Sequence, residues 1–539
     1  MLFTSLAFLI FAVVIFFTYY LVPKKGQWIV LLVGSGVFYF WAGWQYFLFL
    51  VGTITITYLL GLWLGFIGNK EETGIEALKT ATPKEGEVLP TKKEIRKKYT
   101  RYKWWVSCLG VVVGIGLLFT LKYLNFFGSI FNSIFNKGET FNPINFIVPV
   151  GLSFYIFSSI GYLIDVNRGV HPPEKNIFKY ALFVSFFPVV LQGPICQYSE
   201  ISSELYSGHA LEMDNVSNGL RRVVLGFLKK IVIADLIGIA ASRLFNNYQD
   251  YHGMILLVAA IMYAIQLYAD FSGYMDIALG FSEMLGIKLP ENFDIPYFSH
   301  SISEFWRRWH ITLGAWFRNY MYFSLLRSNW LTKIKKAIAK KNKKFADAFV
   351  TIIALLLVWV SIGLWHGASF NFLIYGCFHG LFVILDVALS GVYERLRKLF
   401  HINSDSLGWK SFQIVRTFYL VTISFFLFRS AKLDQAGYMF VESLKVWDWN
   451  QLFSGSFISL GIDWYMYIVV VGAILICYFA NSLFRNSNSQ YLMKYNLREK
   501  LPRVVQYAFF VLIVWGIISV YIYENSLDNV SSAFIYFDF

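Results

Sequence analysis

Charge is scarce in this chain. Only 15% of its 539 residues are Asp, Glu, Lys or Arg, while 57% are hydrophobic and 19% aromatic. A soluble domain carries roughly 25% charged residues. The deficit excludes an ordinary soluble enzyme and an intrinsically disordered chain. Cysteine is scarce too: Cys108, Cys196, Cys377 and Cys477 form no CxxC pair, and all but Cys196 lie inside long apolar runs. Neither a disulfide framework nor a metal site is expected from them. No GxxxxGK[ST] phosphate loop, no HExxH zinc motif and no GxSxG nucleophile elbow occurs, which excludes three common catalytic engines.

What is present is apolar sequence in lengths that cross a bilayer, for which roughly 20 residues suffice. The first run, Leu2 to Leu21, lacks a basic start and a small-residue cleavage site, and reads as a retained span. Others lie near 28–48, 49–67, 104–127, 145–165, 177–195, 223–245, 253–269, 349–366, 370–390, 412–429, 465–484 and 504–523. The expected fold class is an all-α polytopic membrane protein with about 11 to 13 membrane helices, some of them re-entrant where Gly and Pro interrupt. The excess of cations, 47 Lys and Arg over 33 Asp and Glu, belongs in cytoplasmic loops facing anionic lipid rather than on nucleic acid. Ten Lys/Arg fall in 68–103 and seven lysines in 333–344, and Lys24 and Lys25 follow the first run. The positive-inside rule puts these in the cytoplasm and the N-terminus outside.

In such a chain the ionisable groups within apolar sequence carry the information, because a charge at the bilayer centre costs about 2.5–3.5 kcal/mol on insertion scales. His366 ends an apolar run in Gly363-Leu364-Trp365-His366-Gly367. Burial would keep its imidazole neutral and able to take a proton. His310 sits in Phe305-Trp306-Arg307-Arg308-Trp309-His310, with Arg318 further on. Ser301 and Glu304 match a capping box, so Trp306 and His310 are expected on one helical face. Arginines among aromatics suit a phosphate-bearing ligand, and equally suit an interfacial helix with snorkelling side chains. Gln266, Asp270 and Tyr274 would share a face of another helix, and Pro188 to Pro194, around Gln192, must break one. Both stretches fit a cavity lining or a packing device.

Five segments together resemble the membrane-bound O-acyltransferase (MBOAT) family, in its bacterial alginate O-acetylase branch: VGLSFYIFSSIGYLIDV at 150–166, LQGPICQYSE at 191–200, YADFSGYMDIALG at 268–280, FWRRWHITLGAWFRNYMY at 305–322 and GLWHGASFNFLIYGCFHG at 363–380. The resemblance spans roughly 110–390. It implies a helix bundle around a transmembrane tunnel, organised as N-terminal helices at 1–67, a basic cytoplasmic loop at 68–103, a catalytic core at 104–430 and C-terminal helices with an aromatic tail at 431–539. It implies that an acetyl group passes from a cytoplasmic thioester, acetyl-CoA or an acyl carrier, across the membrane to a polysaccharide. No tightly bound cofactor is expected. His366 and His310 are the implied catalytic residues. Arg307, Arg308, Arg318, Trp306 and Trp365 are candidate donor contacts, and Gln192, Asp270, Tyr274 and Asn371 candidate tunnel-lining groups.

The final residues, Ala533 to Phe539, resemble the terminal aromatic motif of a small D-alanylation peptide that partners a protein of the same family, which makes Tyr536 a candidate acyl relay. The family pattern also implies the lipid bilayer of the bacterial cell membrane as the setting, an extracytoplasmic SGNH-type acyltransferase as partner and a cytoplasmic acyl carrier as a second. D-alanyl transfer to teichoic acid is the alternative within the family. A polysaccharide or lipid transporter is the alternative outside it.

Overall fold

In the computed structural model the described residues are 1–80, 89–135, 143–445, 447, 449–453, 460–484 and 502–526. Helices account for nearly all of the regular structure. Among the described residues seven helices are long and apolar enough to cross a membrane: Trp44–Thr80, Lys92–Phe135, Met254–Met284, Lys343–His366, Phe370–Ala388, Leu407–Arg429 and Val504–Ser526; Leu6–Leu21 and Trp464–Phe479 are shorter apolar helices. This is the expected all-α polytopic membrane protein. Among the described residues several of the thirteen apolar runs fold as short or interrupted helices rather than single long spans. The 177–195 run breaks into Ile177–Ser185 and Phe187–Val190, where Pro188 supplies a helix start and no hydrogen-bond donor. The basic segment is not a loop over its described length. The helix from Trp44 continues to Thr80, and the next starts at Lys92 behind a Thr91–Glu94 capping box. Lys103 joins the two through Glu71 at 2.7 Å.

The chain forms two compact units, Met1–Met213 with Leu285–Leu289, and Asp214–Met284 with Pro290–Phe539. In the first unit Leu152–Arg168 is buried at thirteen of its seventeen residues. Gly151 precedes it with φ +74°, and a Cβ there would stand 2.2 Å from the Val190 carbonyl oxygen, so only glycine lets the broken 186–194 segment pack so close.

In the second unit Met254–Met284 packs against a segment that is α-helical over Met213–Phe227, π-helical over Leu228–Asp235 and α-helical again over Leu236–Asn246. The wide turn brings two lysines into the interior. Lys230 lies between Asp235 at 2.8 Å and Asp270 at 2.7 Å, and Lys229 reaches Asp276 at 2.6 Å. Arg222 bonds Asp276 at 3.0 Å and grips both oxygens of Glu291. Each of the three cations thereby meets at least one carboxylate, as a low-dielectric interior demands. The Lys343–His366 and Phe370–Ala388 helices form an antiparallel hairpin whose contact is set by Gly363 and Gly376. A Cβ on Gly376 would lie 2.5 Å from the Trp359 carbonyl oxygen, so the backbones touch.

Replacing Lys230 by Met strands Asp235 and Asp270. The expected loss is about 3–5 kcal/mol of unfolding free energy, read from reversible denaturation in detergent. Lys335→Met, at a pair half exposed on both sides, should shift it by less than about 1 kcal/mol.

Candidate active site

His310 is placed by a break, not by a helix. The Ile302–Arg308 helix starts on Ser301, whose hydroxyl accepts the Glu304 amide, and Glu304 turns its carboxylate to the His300 amide at 2.8 Å and to the Arg308 guanidinium. The helix then stops. Trp309 is extended and pairs with Phe293 in an isolated antiparallel bridge, and His310 takes φ +45°, a left-handed conformation that costs a residue with a Cβ about 1–2 kcal/mol. The expected i, i+4 face of Trp306 and His310 is therefore lost. Trp306 packs on Trp359 and His379, whereas His310 packs edge-on against Phe271 and Trp365.

Asn292 fixes the proton on that ring. Its Oδ1 accepts the Thr312 amide at 3.1 Å and the Thr312 hydroxyl at 2.9 Å, and lies 3.2 Å from His310 Nδ1. An amide N–H can only donate, so the atom facing all three is the oxygen, and Nδ1 must carry the hydrogen. Nε2 then holds a lone pair, and it has no hydrogen-bond partner among the described residues. His310 is 1% exposed. Burial pushes its pKa down to about 3, so the ring is neutral over the physiological range.

His366 ends the Lys343–His366 helix and is 3% exposed. Its ring is surrounded by Trp365, Phe372, Tyr375 and Phe428, with centroids 4.9–6.4 Å away. Gly367 follows, where a Cβ would collide with the Phe372 ring at 2.3 Å. Trp365 touches both histidines, 5.6 Å from His310 and 4.9 Å from His366 between centroids. One indole thus joins two buried imidazoles from segments 56 residues apart in sequence.

The sequence profile of the MBOAT, membrane-bound O-acyltransferase family, matches residues 171–432, which include both histidines and Asn292. A probable alginate O-acetylase of Pseudomonas syringae pv. tomato is 32% identical over 453 residues, 84% of this chain and 76% of the relative. The chain belongs to the MBOAT family. Similarity extends to a peptidoglycan O-acetyltransferase of Helicobacter pylori, 31% identical over 62% of this chain and 64% of the relative, and to a teichoic acid D-alanyltransferase of Bacillus subtilis, 30% identical over 53% and 70%. This MBOAT protein is a multi-pass membrane acyltransferase.

The other sequence-selected residues of this MBOAT chain disperse. Arg307 and Arg318 are exposed, while Arg308 is buried against Glu304. Asp270 belongs to the Lys230 cluster, and the Lys230 ammonium stands 5.7 Å from the Tyr274 ring centre. The Asn371 amide donates to the Ser430 carbonyl at 2.8 Å, tying two helices together. Gln192 is buried within the first unit, and Tyr536 lies outside the described residues. Asn292 was missed by the sequence reading, as was the Lys229–Lys230 pair. Nothing local marks Asn292, since its partners lie 18 and 20 residues on.

His379 also enters the neighbourhood. It contacts Tyr375 at 4.6 Å between centroids, and its Nε2 lies 3.0 Å from Ser424 Oγ. Ser424 spends its own proton on the Val421 carbonyl at 2.6 Å, so His379 Nε2 donates and the serine is not an activated nucleophile. The chemistry open to the site is proton acceptance at His310 Nε2 and proton exchange at His366, in surroundings that exclude water.

Asn292→Asp tests the tautomer. A carboxylate at this distance favours the imidazolium, so the variant should lose acyl transfer as pH falls through the raised His310 pKa. The variant's acid limb should lie at higher pH than any in the unaltered protein, whose His310 stays neutral across the physiological range. The measurement is a pH–rate profile on reconstituted enzyme.

Proposed function

We propose that this protein is an O-acetyltransferase that takes an acetyl group from a cytoplasmic thioester and delivers it across the cell membrane for O-acetylation of an extracellular or cell-wall polysaccharide. The observation that carries this is the pair of buried imidazoles on one indole, His310 neutral with its lone pair at Nε2, in a chain of this family. Relatives named for O-acetylation match 84% and 62% of the chain at 32% and 31% identity. The lysine-rich segments 68–103 and 333–344 face the cytoplasm on this reading, and the N-terminus lies outside.

His366 is the general base. Its neutral ring takes the acceptor's proton as the acceptor oxygen attacks the thioester carbonyl, the C–O bond forms, the C–S bond breaks, and the proton passes to the leaving thiolate. His310 works beside it as an acceptor. With Nδ1–H committed to Asn292, its Nε2 cannot donate to a carbonyl, so it orients a donor N–H or the acceptor hydroxyl. The aromatic wall keeps water from the thioester, and Phe372, Tyr375 and Phe428 must part for substrates to reach His366. The donor is acetyl-CoA or an acyl-carrier thioester. Tyr536 would be the first acceptor, passing the acetyl group to an extracytoplasmic SGNH-type transferase that completes the modification.

D-alanyl transfer is the second reading, favoured by similarity to the Bacillus subtilis protein. Membranes supplied with labelled acetyl-CoA or labelled D-alanine separate the two. His366→Ala should reduce transfer of the correct label by about 100-fold or more; undiminished transfer removes His366 from the chemistry. Tyr536→Phe should abolish label on the polysaccharide, and full retention rejects the relay.

A further inference from the structure

A cavity of about 800 Å³ lies away from the two histidines, between the start of the Ile302–Arg308 helix, the end of Phe370–Ala388, the short Ser390–Leu399 helix and the beginning of Leu407–Arg429. Its volume is in the range of ligand sites. Ile302, Phe382, Phe400 and Leu420 make it largely apolar, and Arg397 and Arg416 bring two guanidinium groups to it.

The acids of the lining have other partners, although the hydroxyl on Asp386 leaves that carboxylate its charge. Asp386 accepts the Ser303 hydroxyl at 2.5 Å, and Glu394 pairs with Lys398 at 3.1 Å. Arg416 gives one N–H to the His300 carbonyl at 2.8 Å. Among the described residues neither Arg397 nor Arg416 forms an ion pair. An apolar chamber with two guanidinium groups on its wall is complementary to an amphiphile with an anionic head.

The Ser390–Leu399 helix indicates where this amphiphile comes from. Val392, Leu396 and Leu399, at i, i+4 and i+7, are all exposed, while Arg395, Arg397 and Lys398 share the same ten residues. That pattern belongs to a helix lying in the plane of a membrane interface. Because Lys343–His366 and Phe370–Ala388 are an antiparallel hairpin, Ala388 returns to the side on which Lys343 begins, the side of the 333–344 lysines. Under the orientation proposed above this is the cytoplasmic leaflet, where anionic phospholipid gathers basic side chains.

We propose that this cavity is a binding site for an anionic phospholipid, with an acyl chain among the apolar residues and the phosphate on Arg397 and Arg416. The occupant would brace the active site. His300, Ser301 and Ile302 form part of the cavity wall and begin the short helix that ends two residues before His310.

The test is lipid retention by the full-length protein, which requires no turnover and so stands or falls apart from the acetyl-transfer reading. Protein reconstituted in nanodiscs of mixed phosphatidylglycerol and phosphatidylcholine is released into detergent and weighed by native mass spectrometry. Retained phosphatidylglycerol is expected, reduced about fivefold in Arg397→Gln and unchanged in Lys335→Gln. Arg416→Gln should act alike; since Arg416 also holds a backbone carbonyl, Arg397→Gln decides if that variant misfolds. Equal retention by Arg397→Gln and the unaltered protein overturns the proposal, as does equal retention of the two lipids. Displacement of the bound lipid by free CoA would instead make the cavity a donor site and also overturn it.

Discussion

Asn292 Oδ1 receives three donors at once, and the Thr312 amide among them cannot do otherwise than donate. Through that obligation a carboxamide decides which nitrogen of His310 keeps a hydrogen. Were the amide rotated, Nε2 would become the donor and the residue's role would invert. The geometry around it is arranged to hold this choice: the bridge between Phe293 and Trp309 aligns the 292–294 segment with the break, and the Ile311 amide closes on the Asn292 carbonyl at 3.0 Å.

A related constraint, that a dry interior penalises a charge without a counter-charge, shapes the ion cluster of the second unit. The π-helical turn at Leu228–Asp235 places Lys229 and Lys230 on the acidic positions of Met254–Met284, so that Asp270 and Asp276 are matched as the helices close. Phe271, one residue beyond Asp270, packs against His310. The ion cluster and the candidate catalytic ring are thus fixed by adjacent positions of one helix.

Membrane character and helical class were legible because apolar length is written in local stretches; the two histidines stood out by their Trp-His-Gly and Trp-His contexts, and the fold buries both rings against one indole. The arrangement that gives His310 its tautomer was not, because it depends on Asn292 meeting residues 18 and 20 positions on through a strand-like bridge no periodicity announces. The helix expected through 301–310 failed at its end for a related reason. Its capping residues are sound, but tertiary pairing of Trp309 overrides the continuation. The 223–245 run read as a plain span because its hydropathy outweighs two lysines, whereas the fold spends a π-turn on them. The 68–103 segment read as a loop from its charge, and its helices persist because Lys, Glu and Arg are good helix formers whatever their solvent.

The left-handed backbone at residue 310 bears on how any alteration there should be interpreted. Glycine enters that conformation freely and asparagine tolerates it, while β-branched side chains oppose it. A valine in this position would combine chemical and conformational damage in one number. Glycine removes the imidazole while relieving the backbone, so the deficit it leaves belongs to the ring alone.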